Sequence, residues 1–189
     1  MSGVGAMMAG GNPDKKRGRQ EDDFYPTPKE VTRALMRVIP PRPNEKWWEP
    51  CCGDGSMANT LTSFGASVLA TDINPRDFGD RQDFFDVLSL PDGVTSIITN
   101  PPFDIAEKFI RHAWETLKVE QMALVLKATY WHAASRQALF RDCTPCVIMP
   151  LTWRPDFLGL GRPTMEVMWC LWDRKSDDAP PLYIPLSKE

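Results

Sequence analysis

No stretch of this 189-residue sequence approaches the roughly 20 consecutive apolar residues of a membrane span, which excludes a helical integral membrane protein as an expectation. The amino terminus lacks the charged-then-apolar pattern of a secretory signal, so a cytoplasmic protein is expected. In that compartment the five cysteines, an odd number, read as reduced thiols and not as a disulfide framework. Cys143-Thr144-Pro145-Cys146 has the C-x-x-C spacing of zinc and redox pairs, but no second pair completes a metal site. No metal is therefore expected. Neither sign of charge is in large excess. The formal net charge of -3 excludes a uniformly basic surface and leaves room for a local basic patch facing an acidic partner.

What is present is a hydrophobic fraction of 42% with 25% charged residues, enough for the core of one globular domain and no more. Residues 1–22 are rich in Gly, Met and Ala, then basic at Lys15, Lys16, Arg17 and Arg19, and read as a disordered tail. An ordered domain is expected over residues 23–175, followed by an extension over 176–189. Thr27-Pro28-Lys29-Glu30 combines a capping hydroxyl, a first-turn proline and a glutamate, and opens a helix whose stripe is Val31, Ala34, Leu35 and Val38.

From Lys46 onward strand-like and helix-like segments alternate. Strands are expected over 46–50, 66–72, 96–100, 121–128, 146–151 and 167–172, with helices over 56–64, after an Asp104 cap, and over 135–141. This alternation predicts an α/β fold with a mostly parallel sheet and helices on both faces. The last two strands are separated by roughly 15 residues without helical pattern, so they are expected to pair antiparallel.

In such a sheet ligands sit beyond the carboxyl ends of the strands. The first loop there is Glu49-Pro50-Cys51-Cys52-Gly53-Asp54-Gly55. It lacks the third glycine of a dinucleotide fingerprint and the Gly-Lys-Ser/Thr of a P-loop, so a phosphate ligand is disfavoured. Asp72, ending the next strand, is placed to accept hydrogen bonds from both hydroxyls of a ribose. A nucleoside ligand is the expectation.

These residues resemble a known family. Glu49 to Gly55 is similar to the cofactor loop of class I S-adenosylmethionine-dependent methyltransferases, and Asn100-Pro101-Pro102-Phe103 to the catalytic motif of the amino-methyltransferases, especially the DNA adenine-N6 group. Phe24-Tyr25-Pro26-Thr27-Pro28 resembles the amino-terminal cofactor motif of the subgroup in which that motif comes first, and Gln82-Asp83-Phe84-Phe85 the segment facing the cofactor adenine. The resemblance spans residues 25–173. It implies a Rossmann-like, seven-stranded, mostly parallel sheet with an antiparallel last strand. It also implies S-adenosyl-L-methionine as cofactor, held by Tyr25, Thr27, Glu49, Cys51, Gly53, Gly55, Asp72, Ile73, Asp83 and Phe84. Pro145-Cys146 is similar to the nucleophile motif of cytosine-C5 methyltransferases, but Cys146 would begin a strand and so lie at the opposite edge from the cofactor.

The exocyclic amine of adenine is a poor nucleophile because its lone pair is delocalised into the ring. Two acceptors aimed at its N–H bonds, the Asn100 side-chain oxygen and the Pro101 carbonyl, draw the nitrogen toward tetrahedral geometry, Pro102 stiffens the turn, and Phe103 stacks on the base. No strong base is required, and the two histidines, His112 and His132, lie away from this loop. A base in a duplex must be flipped out to reach such a pocket. Tyr130 and Trp131, and Trp153, Arg154, Phe157 and Arg162 in the link from Thr152 to Thr164, are expected at the rim, the aromatics to stack and the arginines to hold phosphates. The expected function is methylation of the N6 amine of adenine in DNA. Alternatives are RNA adenine, cytosine N4, a protein glutamine amide, or a non-catalytic nucleic-acid-binding or assembly module. With no room for a separate recognition domain, a short or relaxed sequence preference or a partner chain is expected to settle the target.

Overall fold

The computed structural model describes residues 25–163, 165–176 and 180–188. The basic tail expected over residues 1–22 lies outside the described residues. Eight strands form one sheet: β1 (Lys46–Glu49), β2 (Ser67–Asp72), β3 (Asp80–Arg81), β4 (Val94–Thr99), β5 (Gln121–Lys127), β6 (Val147–Pro150), β7 (Val167–Asp173) and β8 (Leu182–Tyr183). Their order is β3-β2-β1-β4-β5-β7-β6-β8. All neighbours run parallel except those of β7, which inserts antiparallel between β5 and β6. The expected antiparallel pairing of the last two long strands is thus found, with Val147 opposite Leu171 and Pro150 opposite Met168. The sheet exceeds the expected seven strands because β3 and β8 are two-residue edge strands without an apolar pattern. β8 comes from the expected carboxyl-terminal extension, which therefore adds to the sheet instead of trailing from it.

Side-chain alternation splits the core in two. Trp47, Ile98, Ala123, Val125, Trp169 and Leu171 face one layer, made with α1 (Lys29–Met36) and α2 (Ser56–Ser63). Trp48, Ile97, Met122, Leu124, Leu126, Cys170 and Trp172 face the other, made with α3 (Ala106–Arg111) and α4 (Gln137–Asp142). Consecutive strand residues point to opposite faces, so unbroken apolar strands such as β5 serve both layers. Buried indole N–H groups tie helices to the sheet. Trp169 donates to the Val31 carbonyl of α1 at 3.0 Å, and Trp172 to the Cys143 carbonyl just after α4 at 2.9 Å.

Two helix starts differ from expectation. Neither Thr27 nor Asp104 is the N-cap residue: Pro28 precedes α1 and Ile105 precedes α3, and neither of these two makes a side-chain cap bond. Val38 lies beyond α1 and is 42% exposed. After Arg111 the α3 helix widens into a π-turn over His112–Thr116. The apolar spacing of four residues through Phe109, Ala113 and Leu117 explains the widening. On a regular helix it drifts by about 40° per repeat, and a wider turn brings Ala113 and Leu117 back to the sheet. His112 accordingly serves structure, its Nε2 lying 2.8 Å from the Val87 carbonyl.

The five cysteines are free thiols. Cys143 and Cys146 are not bonded to each other; their thiols donate to Glu115 and to the Leu171 carbonyl. Burial pushes the thiols of Cys143 and Cys170 up to about 12.

Replacing Trp169 by Phe keeps the ring in the core but leaves the Val31 carbonyl without its indole donor. The expected loss is about 1.5 kcal/mol, or roughly 5 °C in the thermal midpoint for a chain of this size. A circular-dichroism melt unchanged within 1 °C would remove the indole bond from the account of how α1 docks.

Candidate active site

The carboxyl ends of β2, β1, β4 and β5 stand side by side, and a cavity of about 640 Å³ opens over them. With adjacent strands about 4.8 Å apart, these four ends span roughly 14 Å. At the β1–β2 end, residues 50–55 form a turn in which Gly53 and Gly55 take positive φ, 52° and 78°. Asp72 fixes this turn: Oδ2 accepts from the Gly53 amide at 2.9 Å and Oδ1 from the Asn74 amide at 2.8 Å. The Cys52 amide adds a bond to the Thr71 carbonyl at 3.0 Å. A carboxylate has about four lone-pair sites, so Asp72 keeps acceptor capacity for a ligand.

The need for Gly55 has a cause other than ligand approach. A Cβ there would stand 2.5 Å from the ring of Phe78, which packs directly on the glycine. Neither Gly53 nor Gly55 lines the cavity, whereas Tyr25, Thr27, Glu49, Cys51, Asp72, Ile73, Asp83 and Phe84 all do. Asp83 Oδ1 accepts from the Phe85 amide at 2.9 Å and caps the short turn over Phe84–Asp86. Phe84 stacks on Phe109 with centroids 3.9 Å apart, so one of its faces belongs to the core.

Glu49, expected at the cofactor from the sequence, is the most deeply buried acid of this wall. It is 2% exposed, and its Oε2 has no hydrogen-bond partner among the described residues. Burial raises its carboxyl well above the ordinary range, opposed by the Ala58 amide and reinforced by the charges of Asp72 and Asp54. A buried carboxyl with an unpartnered oxygen on a cavity wall is set up to receive a cationic ligand, which would restore its charge.

Asn100, Pro101, Pro102 and Phe103 follow β4 and line the centre of the same cavity. Asn100 Nδ2 donates to the Thr27 hydroxyl at 3.2 Å. This contact is where the Thr27 side chain goes instead of capping α1. With Nδ2 committed, Oδ1 is the atom left to accept from a ligand. Sequence reasoning missed this pairing, because 73 positions separate the two residues.

At the β5 end the wall holds Lys127, Tyr130, Arg136 and Met165. Tyr130 is 2% exposed, burial pushes its hydroxyl up to about 12, and that hydroxyl has no partner among the described residues. Trp131 is not at this rim; it packs edge-on against Tyr130 and Phe140. The link after β6 also differs from expectation. Trp153 and Phe157 pack into the layer beneath α1, where burial of apolar rings is favoured, and neither lines the cavity. Arg154 is turned to Glu166, with Nε 3.1 Å from Oε1, and Arg162 is exposed away from the cavity. Among the described residues between β6 and β7, Met165, just beyond that link, is the one on the cavity wall. Sequence reasoning missed Lys127 and Arg136; the available signal was one cation ending an otherwise apolar strand.

No family model matches the chain, and no curated protein matches it in sequence. Solved structures do match in fold. A modification subunit assigned to a type I restriction enzyme of Vibrio vulnificus YJ016 superposes with a TM-score of 0.63 at 15% identity, over 86% of this chain and 47% of that one. The chain thus spans about half the length of that subunit. A Pyrococcus horikoshii protein assigned as an RNA methyltransferase gives 0.60 at 14% identity, over 80% and 86% of the two chains. A precorrin 8W decarboxylase of Methanobacterium thermoautotrophicum gives 0.56 at 17%, over 85% and 98%. The fold is the Rossmann-like α/β fold seen in methyltransferases.

The raised Glu49 carboxyl has a consequence for stability. Its ordinary value is about 4.5, so above that pH the unfolded chain releases a proton that the fold retains. Stability therefore declines as pH rises from about 4.5 toward the raised value. Glu49→Gln removes this dependence: its thermal midpoint should match the parent near pH 4 and exceed it increasingly as pH rises toward the raised value. A difference that is flat across that range would show that Glu49 is not held protonated.

Proposed function

We propose that this chain is an S-adenosylmethionine-dependent methyltransferase that acts on the N6 amine of adenine in DNA. The observation that carries the reading is the arrangement in one cavity of Asn100-Pro101-Pro102-Phe103, at the end of β4, beside the acid-rich wall at the ends of β1 and β2. The residues fit the cofactor. Glu49, with its unpartnered oxygen, suits the cationic amino-acid portion, Asp72 the ribose hydroxyls, and Asp83 with Phe84 the adenine. When bound, S-adenosylmethionine supplies an electrophilic methyl group on a sulfonium.

The chain's own residues then position the acceptor. Asn100 Oδ1, oriented by the bond from Nδ2 to Thr27, accepts one N–H of the amine, and the Pro101 carbonyl accepts the other. The rigid Pro-Pro segment fixes the spacing of these acceptors, and Phe103 offers its ring to the base. Cys51 and Cys52 stay neutral thiols because burial raises both, so neither competes as a nucleophile. With the aromatic link after β6 folded into the core, little of the described chain is left to read a sequence. Target choice then falls to a relaxed preference or to a partner chain. The half-length match to a restriction-system modification subunit supports that reading.

Calorimetry should detect S-adenosylmethionine at micromolar concentration, and no heat at high micromolar would defeat the cofactor assignment. With labelled cofactor, label should enter unmethylated DNA and be recovered as N6-methyladenine on nucleoside analysis. Recovery in RNA, in cytosine N4 or in a glutamine amide would move the same core to that substrate. Asn100→Ala should slow transfer by roughly a hundredfold or more; a rate within threefold of the parent would overturn its role.

Thr27 is read as a positioning residue. Thr27→Val, which cannot accept the Asn100 amide, should lower kcat about tenfold and leave the KM for DNA near the parent value, while Thr27→Ser restores kcat. Equal rates for Val and Ser would reduce Thr27 to a packing role.

A further inference from the structure

The two ends of the cavity differ in charge. Glu49, Asp54, Asp72 and Asp83 stand at the β1–β2 end, where Arg76 also lies, and Asp104 follows the central motif. At the β5 end the charged residues on the wall are Lys127 and Arg136. Resting on the methyltransferase reading, we infer that Lys127 and Arg136 form a phosphate subsite for the nucleic-acid strand that delivers the target base.

Three observations point to an anion there. Lys127 ends β5 and is exposed; its described contact is the Phe103 ring, 5.1 Å from Nζ to the centroid. The acid beside it across the β5–β7 pair is Glu166, whose carbonyl accepts from the Ala128 amide at 2.9 Å. That carboxylate is already held by both Nε and Nη2 of Arg154, at 3.1 and 2.5 Å, so it does not neutralise Lys127. Arg136 lies with its guanidinium 3.7 Å from the Tyr130 ring centroid, and Nη1 donates to the Tyr130 carbonyl at 2.9 Å. Stacking and one bond fix the plane of the guanidinium. Most of its five N–H donors remain for a ligand. Third, the Tyr130 hydroxyl on the same wall is buried without a partner among the described residues.

The placement suits a nucleotide. A base over Phe103 sets its sugar-phosphate within reach of the flexible Lys127 stem, whose contact with this partly buried ring, 5.1 Å from Nζ, is loose enough to be exchanged for a charge-assisted bond. The arginines expected to hold phosphate from the sequence, Arg154 and Arg162, are elsewhere, and these two cations stand in their place. A cationic acceptor is disfavoured by the same pair.

The test is fluorescence anisotropy with a labelled single-stranded oligodeoxynucleotide containing adenine, using the full chain, with methyl transfer from labelled cofactor measured in the same samples. Lys127→Gln should weaken binding about tenfold and reduce the salt slope by about 0.7, the value for one lost phosphate contact on a single strand. Lys127→Arg should restore most of the affinity. Arg136→Gln should act in the same direction, with a thermal melt to confirm that Tyr130 stays packed, and Arg154→Gln should bind within twofold of the parent. Affinity for S-adenosylmethionine should be unchanged in Lys127→Gln. If the parent methylates the oligonucleotide and Lys127→Gln binds within twofold with the same slope, the subsite is wrong and the methyltransferase reading stands. If binding responds to Lys127 but no label is transferred, the subsite stands and the methyltransferase reading falls. A parent that ignores the oligonucleotide but binds a labelled acidic, glutamine-containing peptide overturns the nucleic-acid assignment.

Discussion

The site depends on a strand of four residues. β1 is paired on both sides, to β2 and to β4, and its two tryptophans are fully buried on opposite faces. Trp47 is anchored in the layer of α1 and α2, and Trp48 in the layer of α3, with its indole N–H bonded to Thr71 Oγ1 at 2.9 Å. A strand this short cannot be held by its own hydrogen bonds alone. Two large side chains gripping both layers fix its height, and with it the height of Glu49 and the turn that follows. Asp72 then joins that turn to the end of β2, so two loops share one carboxylate.

Much of this was legible in the sequence because it is periodic. Strand-helix alternation, the apolar run within β5 and the antiparallel return of β7 all follow from run lengths and from the lack of a crossover helix. The cluster at the cavity was legible through motif order, since successive loops of a parallel sheet meet at one edge. What could not be read were choices between equivalent local bonds. Thr27 had a helix start to cap and took Asn100 instead; α3 takes Ile105, not Asp104, as its N-cap residue. The first is decided by a side chain distant in sequence.

The link after β6 was misread for a different reason. Trp153 and Phe157 suit stacking on a base as well as they suit a core, and composition does not separate the two. The apolar layer over Trp169 was open at that edge, so the rings close it. The cations at the β5 end were hidden in turn by a net charge of -3, which averages an acidic wall and a basic one. Polarity within one cavity, rather than across the surface, separates a place for a cation from a place for an anion.

The contact between Gly55 and Phe78 constrains how this loop can change over time. A side chain at 55 is blocked by the ring and by the left-handed backbone, so the glycine answers to a neighbour in the next loop and not to whatever occupies the cavity. The two positions are sterically coupled. Losing the aromatic at 78 would lift the clash but not the left-handed backbone at 55, so the glycine stays required, while Glu49, Cys51 or Asp54 can be re-tailored for a new ligand with the turn itself unchanged.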